Sequence, residues 1–104
     1  MATQQFFVVM LDHPSPQQRN AVHARIKKAT KSWWHHFEDI WIVQGGKDAG
    51  EWNDRLLPVF KSGDSALLVF RLPGVNETQS WAYFGPDSSK RASWLHETYT
   101  KDKR

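Results

Sequence analysis

Ser32-Trp33-Trp34-His35-His36-Phe37-Glu38-Asp39-Ile40-Trp41-Ile42-Val43 is the stretch whose reading decides the fold of this chain. Its aromatic and β-branched residues suit a pleated, half-buried surface, so it reads as sheet before it reads as a site. The expected arrangement is two short strands meeting near Glu38-Asp39. With the turn there, Trp33, His35, Phe37, Ile40 and Ile42 share one face, and Trp34, His36, Trp41 and Val43 share the other. Glu-Asp is not a favoured two-residue hairpin turn, so a single bent or bulged strand stands as the alternative.

Upstream, Phe6-Phe7-Val8-Val9-Met10-Leu11 is an unbroken apolar run, the pattern of a central strand covered on both faces. It stops at Asp12-His13-Pro14. Ser15 stands where it can cap a helix, with Pro16 at the first helical position and Gln18 completing a capping box. That helix is expected over Pro16 to about Ala29, burying Ala21, Val22, the stem of Arg25, Ile26 and Ala29. Its other side carries Arg19, His23, Lys27 and Lys28, with Lys31 just beyond. Downstream, Gln44-Gly45-Gly46-Lys47 ends the aromatic unit as a turn. Asp48 can cap a second helix with Ala49, Trp52, Leu56 and Val59 or Phe60 buried, which Pro58 ends early. Ala66-Leu67-Leu68-Val69-Phe70-Arg71-Leu72 is a second central-looking strand. Trp81-Ala82-Tyr83-Phe84 is a short fifth strand or an extended arm. After Gly85-Pro86-Asp87, a last helix turns Ala92, Leu95 and Tyr99 inward, with Trp94 beside them.

The resulting order, strand, helix, strand, strand, helix, strand, is that of an α+β fold of the ferredoxin-like βαββαβ kind. It predicts a four-stranded antiparallel sheet with helices on one face, plus an appended C-terminal strand and helix, as a single domain over residues 1–104. The face opposite the helices then carries a large apolar surface, which a symmetric sheet-to-sheet homodimer would cover.

Composition removes several classes of function. The 104 residues include no cysteine, so there is no disulfide, no thiolate nucleophile and no cysteine-ligated zinc, as suits a reducing, cytoplasmic setting. The start of the chain has neither a basic segment nor a long apolar one, so it does not read as a signal peptide, and no run reaches membrane-spanning length. A net charge of +3 favours acidic partners mildly. Gly45-Gly46-Lys47 lacks the glycine spacing and the following Ser or Thr of a phosphate loop.

The run Trp33 to Val43, then Leu56-Leu57-Pro58, then Gly63-Asp64-Ser65-Ala66-Leu67-Leu68-Val69, with Trp94-Leu95-His96-Glu97 near the end, resembles small bacterial proteins of the SinR family. These are similar in fold to the second CRISPR-associated protein, a dimeric ferredoxin-like subunit of the spacer-acquisition complex. The resemblance implies fold and dimer more than activity. Two positions depart from the pattern: Leu11 stands where a tyrosine usually precedes the strand-ending aspartate, and Ser80-Trp81 replaces a glycine-tryptophan pair.

Through that resemblance Asp12 becomes the first chemical candidate, as catalytic residue and metal ligand. In the relatives, two copies of such an aspartate near the dimer axis can share a divalent ion for phosphodiester cleavage. Hard cations want carboxylate oxygens, and an ion held by few protein ligands keeps positions open for water and phosphate. Magnesium or manganese is the ion expected if Asp12 binds one, and nothing else in the pattern requires a cofactor. An aspartate between a strand and a proline also serves as a plain turn residue. His35 and His36, being adjacent on a strand, point to opposite faces and cannot readily chelate one ion together. With Trp33, Trp34 and Trp41 they read as interface or stacking residues. Arg19, His23, Lys27, Lys28 and Lys31 form a candidate nucleic-acid or nucleotide surface. Two functions follow: a non-catalytic dimeric module that binds nucleic acid, a nucleotide or protein, or a metal-dependent nuclease built on Asp12.

Overall fold

A computed structural model of the chain describes residues 5–60, 65–72 and 82–99. The chain divides into two compact units, Met1–Leu72 and Pro73–Arg104. The first contains β1 (Phe6–Asp12), α1 (Pro16–Ala29), β2 (Trp33–Phe37), β3 (Ile40–Gln44), α2 (Ala49–Leu56) and β4 (Ala66–Leu72). The strands form one open sheet in the order β2-β3-β1-β4, with every neighbouring pair antiparallel. This is an α+β architecture.

Local chemistry accounts for both helices. The Ser15 hydroxyl accepts from the Gln18 backbone N–H at 3.1 Å, and the Gln18 side-chain oxygen accepts from the Ser15 N–H at 2.8 Å. This closes the capping box, and α1 has the expected bounds. Its buried stripe is narrower than expected: Val22 and Ile26 are buried, Ala21 is half-buried, and Arg25 and Ala29 are exposed. Arg25 instead reaches across the surface to the Arg55 carbonyl at 3.2 Å. At the helix end, Thr30 takes over the contact with the sheet, its hydroxyl donating to the Gln44 carbonyl at 2.7 Å. Asp48 caps α2 through the Glu51 N–H at 2.8 Å, and Pro58 lies in a 3-10 turn, Leu57–Val59, that ends it.

The core lies on one face of the sheet. Phe7, Val9 and Leu11 of β1 meet Trp41 and Val43 of β3 there. Val22 and Ile26 of α1 and Trp52 and Leu56 of α2 close over the same face. β1 is central, as its unbroken run implies, but it is fully covered on one side only: Phe6, Val8 and Met10 are half-buried on the other. β4 is an edge strand and not a central one. Its run is apolar because Leu67 and Val69 pack on the core while Leu68 and Phe70 stand exposed on the opposite face.

The aromatic stretch is a hairpin with a bulge. Glu38 and Asp39 form the turn and Phe37 pairs with Ile40, but the register shifts between Trp34 and Phe37. The extra residue re-sorts the expected faces. Trp33 and His35 join Trp41 and Val43 on the helix side. Trp34, His36 and Phe37 lie with Ile40 and Ile42 on the other, the rings of His36 and Phe37 being 5.3 and 5.1 Å from that of Trp34.

In the second unit, residues 82–84 form no strand, which corrects the appended strand; Trp81 lies outside the described residues. The Tyr83 hydroxyl donates to the Pro86 carbonyl and accepts from Arg91, both at 2.9 Å, so side-chain bonds hold this arm in place of a strand ladder. The last helix begins at Ser88 and is broken: α3 (Ser88–Arg91) is followed by a wider turn of π type, Leu95–Tyr99. Ala92 and Leu95 are buried and Tyr99 is half-buried. Among the described residues, no helix is long and apolar enough to cross a membrane.

Candidate functional site

Asp12 ends β1 opposite Ala66 of β4. Strand alternation from Met10 places it on the side of the sheet free of α1 and α2. Its carboxylate is 71% exposed and lies 3.1 Å from Nδ1 of His13, itself 80% exposed. The backbone beneath is tied down: the Ser65 hydroxyl lies 2.8 Å from the His13 carbonyl and 2.7 Å from the Gln18 side-chain oxygen. His13 has φ of 53°, a left-handed conformation that turns the chain out of the strand. Among the described residues, no three histidine, aspartate or glutamate side chains come together as an ion would need. Among the described residues, the end of β1 offers a cation the Asp12 carboxylate with the His13 imidazole beside it.

The five basic candidates do not make one surface. The Arg19 Nε donates to Asp39 Oδ1 at 2.7 Å, and its Nη1 lies 3.8 Å from Glu38 Oε2. The hydrogen bond to Asp39 raises its pKa further above the ordinary arginine value, so it is a committed cation that ties α1 to the β2–β3 turn. His23 faces inward to the aromatic cluster. Lys27, Lys28 and Lys31 are exposed at the C-terminal end of α1 and just past it.

That inward cluster is a set of contacting rings shared by α1 and the hairpin. The His35 ring stacks on Trp41 at 4.1 Å and 16°. His23 lies 5.2 Å from His35 and meets Trp33 edge-on at 5.0 Å. The indole N–H of Trp41, a residue with no exposed surface, donates to His23 Nδ1 at 3.0 Å. Burial first, then the neighbouring His35 and Lys27, hold the His23 pKa below the usual histidine value. His35 Nε2 is 3.1 Å from the Glu38 carbonyl, which steadies the turn. The pairing of Trp41 with His23 was not read from the sequence. The available signal was general: a buried indole needs an acceptor. Trp52 follows the same rule by donating to the Gly45 carbonyl at 2.9 Å.

The face of the sheet opposite α1 and α2 is apolar across all four strands, and on it Trp34 of β2 is buried at 4% exposure. Phe6, Val8 and Met10 run down its centre, flanked by Ile40 and Ile42. At its margins Phe37, Leu68 and Phe70 are 45%, 54% and 46% exposed. By alternation, the strand positions on this face include Asp12 and His36 but no lysine or arginine. Trp34 and His36 therefore belong to this face, and Trp33, His35 and Trp41 to the helix side.

Comparison of the chain with protein-family models, with curated proteins and with solved structures returns no match.

Proposed function

We propose that this chain is a small cytoplasmic binding module of ferredoxin-like fold that docks protein through the face of its sheet opposite α1 and α2, a second copy of itself being the occupant. The observation that carries the reading is the composition of that face: apolar side chains from four strands and no lysine or arginine. Phosphate backbones are held by cations, and single strands by cations together with stacking rings. The exposed lysines Lys27 and Lys28 lie on α1, which packs against the opposite side of the sheet, and Lys31 lies just past its end. A nearly uncharged face is complementary to itself, so a two-fold pairing brings no like charges together except near Asp12. The order β4-β1-β3-β2 with both helices over one face supports the ferredoxin-like assignment. The resemblance of Trp33–Val43 to SinR-family proteins, and through them to the second CRISPR-associated protein, agrees with a dimer.

The test is sedimentation or light scattering over a concentration series from about 1 to several hundred μM, a span covering weak association. A mass that rises towards twice the chain mass supports the reading. A constant monomer mass across the series overturns it.

A second reading is favoured by one placement. Asp12 follows Phe6, Val8 and Met10 on the same side of β1, so face-to-face pairing would bring two Asp12 carboxylates towards one another. Together they would offer a divalent ion the oxygens that one lacks, as a metal-dependent phosphodiesterase needs. Labelled single- and double-stranded DNA and RNA, incubated with manganese or magnesium, decide it. Cleavage lost with Asp12→Ala and with chelator supports the nuclease. Cleavage that survives either one removes it.

A further inference from the structure

The bond between α1 and the hairpin has a fixed direction. An indole N–H can only donate, so the 3.0 Å contact makes His23 Nδ1 the acceptor and leaves the neutral ring its proton on Nε2. A protonated imidazole carries N–H on both nitrogens, and Nδ1 would then meet the Trp41 N–H donor to donor. Trp41 has no exposed surface, so solvent offers it no replacement acceptor without movement of the elements around it. We propose that His23 is an acid-sensitive latch that fastens α1 to the β2–β3 hairpin while neutral and loosens that fastening when protonated.

The groups around the ring make a second positive charge unwelcome. On α1, Lys27 lies one turn further on and lowers the His23 pKa. Arg19 lies one turn earlier, with its charge committed to Asp39 and Glu38 at the turn. From β2, His35 packs 5.2 Å away, and Trp33 presents a ring edge. From β3 comes Trp41 itself, whose N–H requires a lone pair. The Arg19–Asp39 pair joins the same two elements, so protonation loosens one fastening and leaves the other.

The sign follows from linkage. The folded state holds His23 below its unfolded value, so it binds fewer protons than the unfolded chain near neutrality. The stabilisation is complete above the unfolded histidine value of about 6.5 and is lost as the pH falls towards the lower folded pKa.

Long-range 1H–15N NMR of the imidazoles and the indole signals reads the latch directly in the intact chain. At pH 7.5 His23 is expected with its proton on Nε2. Between pH 7.5 and 5 the Trp41 indole is expected to lose at least about tenfold in hydrogen-exchange protection, with Tm falling by about 5 °C. His23→Asn offers a non-titrating acceptor oxygen near the position of Nδ1, and its Tm should change less over that interval. A proton on Nδ1 at pH 7.5, or unchanged indole protection down to pH 5, overturns the proposal. So does a His23→Asn variant whose Tm falls as steeply as that of the wild type. If that variant does not fold, the wild-type tautomer and protection decide the matter.

Discussion

Gly46 shows how one backbone position sets a buried ring. It has φ of 103°, and a Cβ added there would lie 2.5 Å from Nε1 of Trp52. That nitrogen is the one that donates to the Gly45 carbonyl, and Arg55 stands 4.7 Å over the same indole. The double glycine therefore lets the chain turn close against a core tryptophan, which explains Gly45-Gly46 without a phosphate. Gly46→Ala combines left-handed strain with displacement of Trp52 and should cost about 2 kcal/mol or more. Urea unfolding measures it, and a loss below about 0.5 kcal/mol, the range of ordinary surface changes, would show that the turn relaxes freely.

Elements were legible wherever their own residues close the chemistry. Ser15, Pro16 and Gln18 set the start of α1, and the hydrogen bonds there are those the pattern requires. Ser15→Ala should cost about 1 kcal/mol by thermal or urea unfolding. Gln18→Ala should cost more, because the same side-chain oxygen also lies 2.7 Å from the Ser65 hydroxyl just before β4. Equal losses would mean that this bridge contributes nothing. Features that arise between elements were not legible. Period-two alternation cannot foresee the bulge that turns Phe37 to the side of Trp34, because one inserted residue reverses every later side chain. Nor does composition distinguish a central strand from an edge strand that is apolar on both sides, as β4 is. The basic stripe of α1 was visible as residue types. Its division was not, because Arg19 finds Asp39 and His23 finds Trp41 only once α1 lies against the hairpin. The same limit applies to Asp12: its strand end was legible, while its exposure and its contact with His13 depend on the left-handed turn.

For the whole molecule, the sheet face opposite α1 and α2 sets the strength of self-association as well as its place. Four strands about 4.8 Å apart and up to about 20 Å long present at most roughly 400 Å² per copy in projection, less the part around Trp34 that is already buried. That is about half of what a standard interface contributes from each partner, so pairing should be weak and concentration-dependent. Phe70 is the decisive residue to alter. It pairs with Val8 of the central strand and is 46% exposed on edge strand β4, so replacing it costs the monomer little while changing the apolar face beside its central strand. Phe70→Lys places a cation in each of two facing copies, where the charge is both desolvated and repelled. Sedimentation equilibrium should show association weakened at least about tenfold, with monomer stability lowered by about 1 kcal/mol or less. Lys28→Glu, on the exposed side of α1, should leave association unchanged. If Phe70→Lys associates as the wild type does and Lys28→Glu does not, the copies meet through the helices and the sheet face has another role.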